Sequence, residues 1–318
     1  MPHTLQYRPL LIDSLISSPR INSYQSVFNT KNDVELMGVY LWNSHVCGAL
    51  YPIISAAEVL LRNAIDRALV AHLGSFWWGA TKLQYKSYSP SVVAPFSVRV
   101  VKENFASATA SFLQERKKRF GTPQNVPPNP HGIVAKTEFS TWEHILDHEF
   151  IGPGLIWPSQ LGKVFLGTWP SPSTAATLTT AKDLVKTVRD FRNRIFHHEP
   201  AWKGYGVKTE AQAIAHLLGK LNKIKELLVL IHPECIKLLE VNGLMLAAQR
   251  ACTAEEIERF KHIAKTHDIC SLDELNVLIT TVDKNRTIVK VRAMAAEAKK
   301  DEEPAEPTMG PTFLMCAT

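Results

Sequence analysis

The chain has 318 residues, 45% of them hydrophobic, enough to bury a full core, which excludes a chain disordered throughout. A formal charge of +6 and a pI near 9.0 are compatible with a polyanionic partner but modest for this length. Five cysteines, odd in number, widely spread and without a CxxC pair, argue against a disulfide framework or a zinc cluster and fit a reducing cytoplasm.

In chain order, residues 1–32 carry Pro2, Pro9 and Pro19 among Ser and Asn and read as an irregular extension. The start lacks a basic segment followed by an apolar run, and no window of ~18 apolar residues stands out, so neither a secretory leader nor a membrane span is expected. From about Val34 the pattern turns helical, and 53–73 is the first long amphipathic stretch. Ile54, Leu61, Ile65 and Leu69 share one stripe of it, with Glu58 in the middle. A carboxylate so placed needs a partner, and Arg62, four residues on, is the nearest in sequence.

Gly74 ends that helix, and Phe76-Trp77-Trp78 reads as a hydrophobic plug, since no cation interleaves the rings. A helix over 98–120 ends in Arg116, Lys117, Lys118 and Arg119, cations that complement the helix dipole and could also grip phosphates. The proline-rich loop 121–131 interrupts the helical signal, which resumes over 133–148. There Glu143, His144, Asp147, His148 and Glu149 cluster; His144 and His148 have the i, i+4 spacing of metal ligands. With no third ligand nearby an exposed polar face is the simpler reading, and no metal or cofactor is expected.

The next helix, capped by Ser173 or Thr180, should run to about His198, because Glu199 precedes a proline. Leu184, Val188, Phe191 and Ile195 line one side; Lys182, Lys186, Arg189, Asn193 and His197 line the other. Arg192 sits about a quarter turn from Asn193 and flanks the same face. His197 continues the cationic stripe, whereas His198 turns toward the apolar side or the frayed end. Beyond Pro200, helices are expected over 209–231, 233–251, 253–266 and 271–298. Thr253 with Glu256 and Ser271 with Glu274 have capping-box spacing, and Lys284, Arg286, Lys290 and Arg292 mark a possible basic face on the last helix. From Asp301 the composition reads as a disordered tail.

Arg192, Asn193 and His197 form the pattern R-N-x-x-x-H, and RNRIFHHEPAW over 192–202 resembles the signature of the Abi-like (AbiD/AbiF) abortive-infection proteins, within the HEPN ribonucleases. Tyr40-Leu41-Trp42-Asn43 leading into Ala57-Glu58-Val59-Leu60-Leu61-Arg62-Asn63-Ala64-Ile65, and Leu155-Ile156-Trp157-Pro158, agree with that family. The resemblance implies an all-α, HEPN-like helical bundle at 33–205; the residue pattern beyond it adds C-terminal helices at 206–298 and a tail at 299–318. It implies metal-independent RNA cleavage in a cytoplasmic toxin, with RNA as substrate or regulatory partner. Catalysis would rest on Arg192, Asn193 and His197, supported by His198, Glu58, Arg62 and Asn63; RNA contacts would come from Lys182, Lys186, Arg189 and Arg116 to Arg119. HEPN nucleases usually pair two motifs. The possible second copy at Arg62-Asn63 has Asp66 and then Arg67 where histidine is needed, so a homodimer is expected.

Overall fold

The computed structural model describes residues 7–121, 128–261, 266–285, 288–294 and 309–316. After a π-helical segment at Tyr7–Ser17 come α1 (Ser18–Phe28), α2 (Asp33–Leu73), α3 (Phe96–Phe120), α4 (Pro130–Val134), α5 (Phe139–His144) and α6 (Leu161–Val164). Then follow α7 (Thr174–Phe196), α8 (Glu210–Ile231), α9 (Pro233–Val241), α10 (Leu244–Ala251) and α11 (Ala254–Lys261). The elements β1 (Thr266–Ile269), α12 (Leu272–Asn285), β2 (Ile288–Met294) and β3 (Met309–Cys316) complete the chain; β1 pairs parallel to β2, and β3 antiparallel to it. The fold is all-α, as the helical periodicity predicts, with this small sheet as the exception.

Two compact units divide the chain. One takes Met1–Val46, Trp202–His216 and Gln249–Thr318; the other takes Cys47–Ala201 and Leu217–Ala248. This partition is not linear in sequence, unlike the expected division at 33–205 and 206–298, because α2 and α8 each contribute to both units.

The first unit is built on interlocked aromatic rings. Trp202 meets Tyr24 and Phe28 edge-on, and Phe28 meets Trp42, whose indole N–H donates to the Ala251 carbonyl at 2.8 Å. The buried Lys261 ammonium bonds Glu210 at 2.9 Å and the Phe28 carbonyl at 3.2 Å, so the charge it takes out of water is paired. Burial alone would raise the Glu256 carboxyl, but hydrogen bonds from His45 and Arg259 outweigh it and hold the group at about 2.

The second unit packs Trp77, Trp78, Phe105 and Trp142 around the long helices. Trp78 stacks on Phe105 with centroids 4.3 Å apart, and Trp77 is fully buried with its N–H on Asp66 at 2.8 Å. These rings fill a core, as the absence of interleaved cations predicts. Helix α2 contains an 18-residue window of mean hydropathy 1.4, long and apolar enough to cross a bilayer by length and composition, contrary to the expectation that no such window exists. Core helices that are mostly buried pass the same test; here a third of the window is buried, and Ile53, Ile54, Ala57, Leu61, Ile65 and Leu69 are among the buried residues of the helix.

Several boundaries differ from expectation. The 1–32 extension is helical across Tyr7–Phe28, since Pro19 falls in the first turn of α1, where its missing N–H costs nothing. The stretch 133–148 is broken into short helices rather than one. The expected last helix stops at Asn285, and Ile288 to Met294 is a strand, its β-branched residues alternating with Lys290 and Arg292 at period 2. Arg292 pairs with Asp268 across the sheet at 2.6 and 2.8 Å instead of joining a basic helix face; Arg286 lies outside the described residues. Within the expected tail Met309–Cys316 is a strand, the rest of 299–318 lying outside the described residues.

Candidate functional site

Helix α7 begins where Ser173 caps it, the hydroxyl accepting from the Ala176 N–H at 3.3 Å. Leu178, Ala181, Leu184, Val185, Val188, Phe191 and Ile195 bury one side of it, at the i, i+3 and i+4 spacing of an amphipathic helix. The helix stops in a doubly bonded C-terminal closure. The His198 N–H donates to the Ile195 carbonyl at 3.1 Å and the Glu199 N–H to the Arg194 carbonyl at 3.0 Å, with His198 left-handed at φ 56°. Glycine is the usual occupant of that position; histidine is among the few other residue types enriched there. Pro200 then prevents continuation. His197, the capping residue, and His198 are both exposed at this end.

The side chains one turn earlier contact one another and α2. Arg192 donates from Nη1 to the Asn193 side-chain oxygen at 3.2 Å, and its guanidinium lies over the Phe196 ring at 4.1 Å from the centroid. Its Nε lies 3.5 Å from the Glu58 carboxylate of α2, an ion pair too poorly aligned to be a hydrogen bond, which leaves a buried donor unmet. Glu58 therefore finds its partner across the helix interface; Arg62, the nearest cation in sequence, turns to Asn63 and to the Ala135 carbonyl at 3.4 Å. Sequence reasoning missed Tyr51 and Phe196, both about half exposed, whose rings meet at 5.4 Å beside Arg192. The available signal was Phe196 standing four residues after Arg192, in contact range on a helix.

The basic stripe farther back on α7 is largely neutralised. Arg189 pairs with Glu143 at 2.6 Å and Asp190 at 2.8 Å, and Lys182 with Asp147, so α5 and the turn after it supply carboxylates to this face. Lys186 is exposed. Burial pushes the Glu143 carboxyl up against the pull of Arg189, and pushes the His144 imidazole down with help from Arg189 and Lys182. Burial opposes ionisation of Asp147 too, but the bonds from Lys182 and the Glu149 N–H outweigh it and lower the group. His144 turns to Ser97 at 3.2 Å and His148 to Asp147 at 2.9 Å, so the two imidazoles do not converge. Among the described residues no group of three or more His, Cys, Asp or Glu could hold a metal ion.

Arg116, Lys117, Lys118 and Arg119 sit at the end of α3, which packs on α4 and α5. Arg116 lies against Phe112 and Phe120, while Lys117, Lys118 and Arg119 are exposed. Asn63 and Arg67 line a groove of about 1000 Å³ with His131, His232 and Cys235. The structure thus brings Arg192 onto Asn193 and within 3.5 Å of Glu58, with His197 and His198 at the adjoining helix end. It places Arg62 and Asn63 in other company.

Such an arrangement can position a guanidinium by a carboxylate and an amide while leaving an imidazole open to a ligand. The same contacts would also serve a structural helix cap. No protein-family model, no curated protein and no solved structure matches this chain.

Proposed function

We propose that this chain is a metal-independent endoribonuclease of HEPN type, a cytoplasmic toxin of bacterial abortive-infection defence against phage, restrained by a bound non-coding RNA. The observation that carries the reading is Arg192 hydrogen-bonded to Asn193 and within ion-pair range of Glu58, beside a helix end that leaves His197 exposed. A held guanidinium can offset charge growing on a phosphate, and an open imidazole can exchange protons with a nucleic acid.

In the proposed reaction His197 takes the proton of a ribose 2′-OH, the 2′-oxygen attacks phosphorus, and the bond to the 5′-oxygen breaks. The leaving oxygen gains a proton, giving a 2′,3′-cyclic phosphate and a free 5′-OH. One imidazole serves one end of this transfer easily, so a second copy of the α7 terminus in a homodimer supplies the other. Asn193 accepts from Arg192, and Glu58 pairs with Arg192 from α2.

The test compares wild type with His197→Ala for growth arrest, RNA cleavage in EDTA, and RNA retained on purification. Cleavage and arrest lost in the variant support the reading. RNA held equally by both proteins with no cleavage by either would replace it with a non-catalytic RNA-binding role. The pairing of Lys182 and Arg189 with carboxylates takes these two cations out of RNA contact in either reading, so it does not choose between them.

A further inference from the structure

Tyr51 and Phe196 are large apolar side chains left about half exposed, and they lie together at the edge of the candidate site. Their centroids are 5.4 Å apart and their planes tilt by 34°, so a ring from α2 packs against a ring from α7 while each stays about half exposed. The Arg192 guanidinium lies over one face of Phe196, 4.1 Å from the ring centroid, which leaves Tyr51 and the remaining exposed part of Phe196 for a ligand, and its Nη2 makes no hydrogen bond to Asn193 or Glu58. His197 is the next residue after Phe196. Local helix stabilisation explains the contact between Arg192 and Phe196, which stand at i and i+4; it does not explain the exposure of Tyr51 on the other helix.

We infer that Tyr51 and Phe196 form a stacking platform for an unpaired nucleobase next to the phosphate held by Arg192, so that the substrate is single-stranded RNA. The inference rests on the ribonuclease reading given above. Aromatic faces accept any base, and a base can reach them only when it is out of a duplex. Size separates this occupant from a second copy of the chain. Two half-exposed rings, with Val59 the nearest exposed apolar residue in α2 sequence, offer far less than the ~800 Å² per partner of a standard interface, yet they match one base. Charge agrees, since the guanidinium beside the rings suits the phosphate that accompanies a base.

The experiment uses the full chain and a fluorescently labelled 20-nucleotide RNA of mixed sequence, single-stranded or annealed to its complement. Binding is followed by anisotropy in a His197→Ala background, so that the probe is not consumed, and cleavage in EDTA is followed without that change. The Tyr51→Ala/Phe196→Leu pair should weaken single-strand binding by roughly tenfold or more, as expected for loss of base stacking, and should raise KM more than it lowers kcat. Tyr51→Phe with Phe196→Tyr should restore both, which a purely structural role of these exposed rings would not require. Wild-type protein that cuts RNA while the Ala/Leu pair binds and cuts equally well overturns the platform alone. Duplex binding as tight as single-strand binding, or conversion of a wild-type dimer to a monomer by the pair, also overturns it, the latter in favour of a second copy. Wild-type protein that neither binds nor cuts the probe overturns the ribonuclease reading and the platform together. Thermal unfolding of each variant checks that the fold is retained.

Discussion

The dipeptide Arg-Asn occurs on α7 as Arg192-Asn193 and on α2 as Arg62-Asn63, and in both the arginine donates to the neighbouring amide oxygen, at 3.2 and 3.5 Å. The resemblance ends one turn later. On α7 the helix closes at His197 and His198, so imidazoles stand in solvent beside a pinned guanidinium. On α2 the helix runs on to Leu73, with Asp66 buried against Trp77 and Arg67 facing the groove. The difference teaches that the dipeptide sets a local contact, while the place where the helix stops decides whether histidines at its end are exposed. Glu58 belongs to both helices in effect: it is carried by α2 and serves α7.

On the proposed reaction, the largest expected effect is at the α7 end. His197→Ala should lower the cleavage rate by about 10²- to 10⁴-fold, the range for losing a general acid or base, whereas Arg67→His, which restores the motif spacing on α2, should add no activity. Gel assays of cleavage in EDTA check both, and activity gained by Arg67→His would erase the contrast between the two helices. Next in size is a purely structural effect on α2. Asp66→Ala strands the buried Trp77 N–H and should cost about 1–3 kcal/mol in denaturant unfolding, with the residual folded protein still active.

Glu58→Gln tests whether α2 serves α7. It should reduce cleavage by roughly tenfold, with little change in unfolding, since the amide keeps the shape but loses the charge that pairs with Arg192. An unchanged rate would separate the two helices functionally. The smallest effect belongs to His198→Gly. Removing the side chain from the left-handed position at φ 56° should stabilise the fold by no more than about 1 kcal/mol and leave cleavage intact. Cleavage lost in His198→Gly but kept in His197→Ala would transfer the acid/base role to His198.

Acid adds a measure of the first unit by itself. With Glu256 held at about 2 against a usual 4.5, its ionised form contributes stability above pH 4.5 that is lost as pH falls toward 2. Acid titration of a Glu256→Gln variant, followed by far-UV circular dichroism, should therefore show a shallower loss over that window than wild type.

Much of this molecule was legible in its sequence because helices report themselves through period. The buried faces of α2 and α7, the Ser173 cap, the stop before Pro200 and the boxes at Thr253 and Ser271 are local patterns, and the chain adopts them. The sheet was missed because Ile288 to Met294 is short and continues an apparently helical run; only pairing with β1 and β3 gives it strand geometry. The partition into two units was not legible either, since α2 and α8 contribute to both. At the site, local spacing determined which residues share the α7 terminus. Tertiary structure decided which partner each charge takes: Glu58 goes to Arg192 rather than Arg62, and Lys182 and Arg189 go to carboxylates from α5 and the turn after it. The physical reason is range. Backbone periodicity and capping act over a few residues, whereas a buried or half-buried charge must find its counter-charge wherever packing brings one, at any distance along the chain.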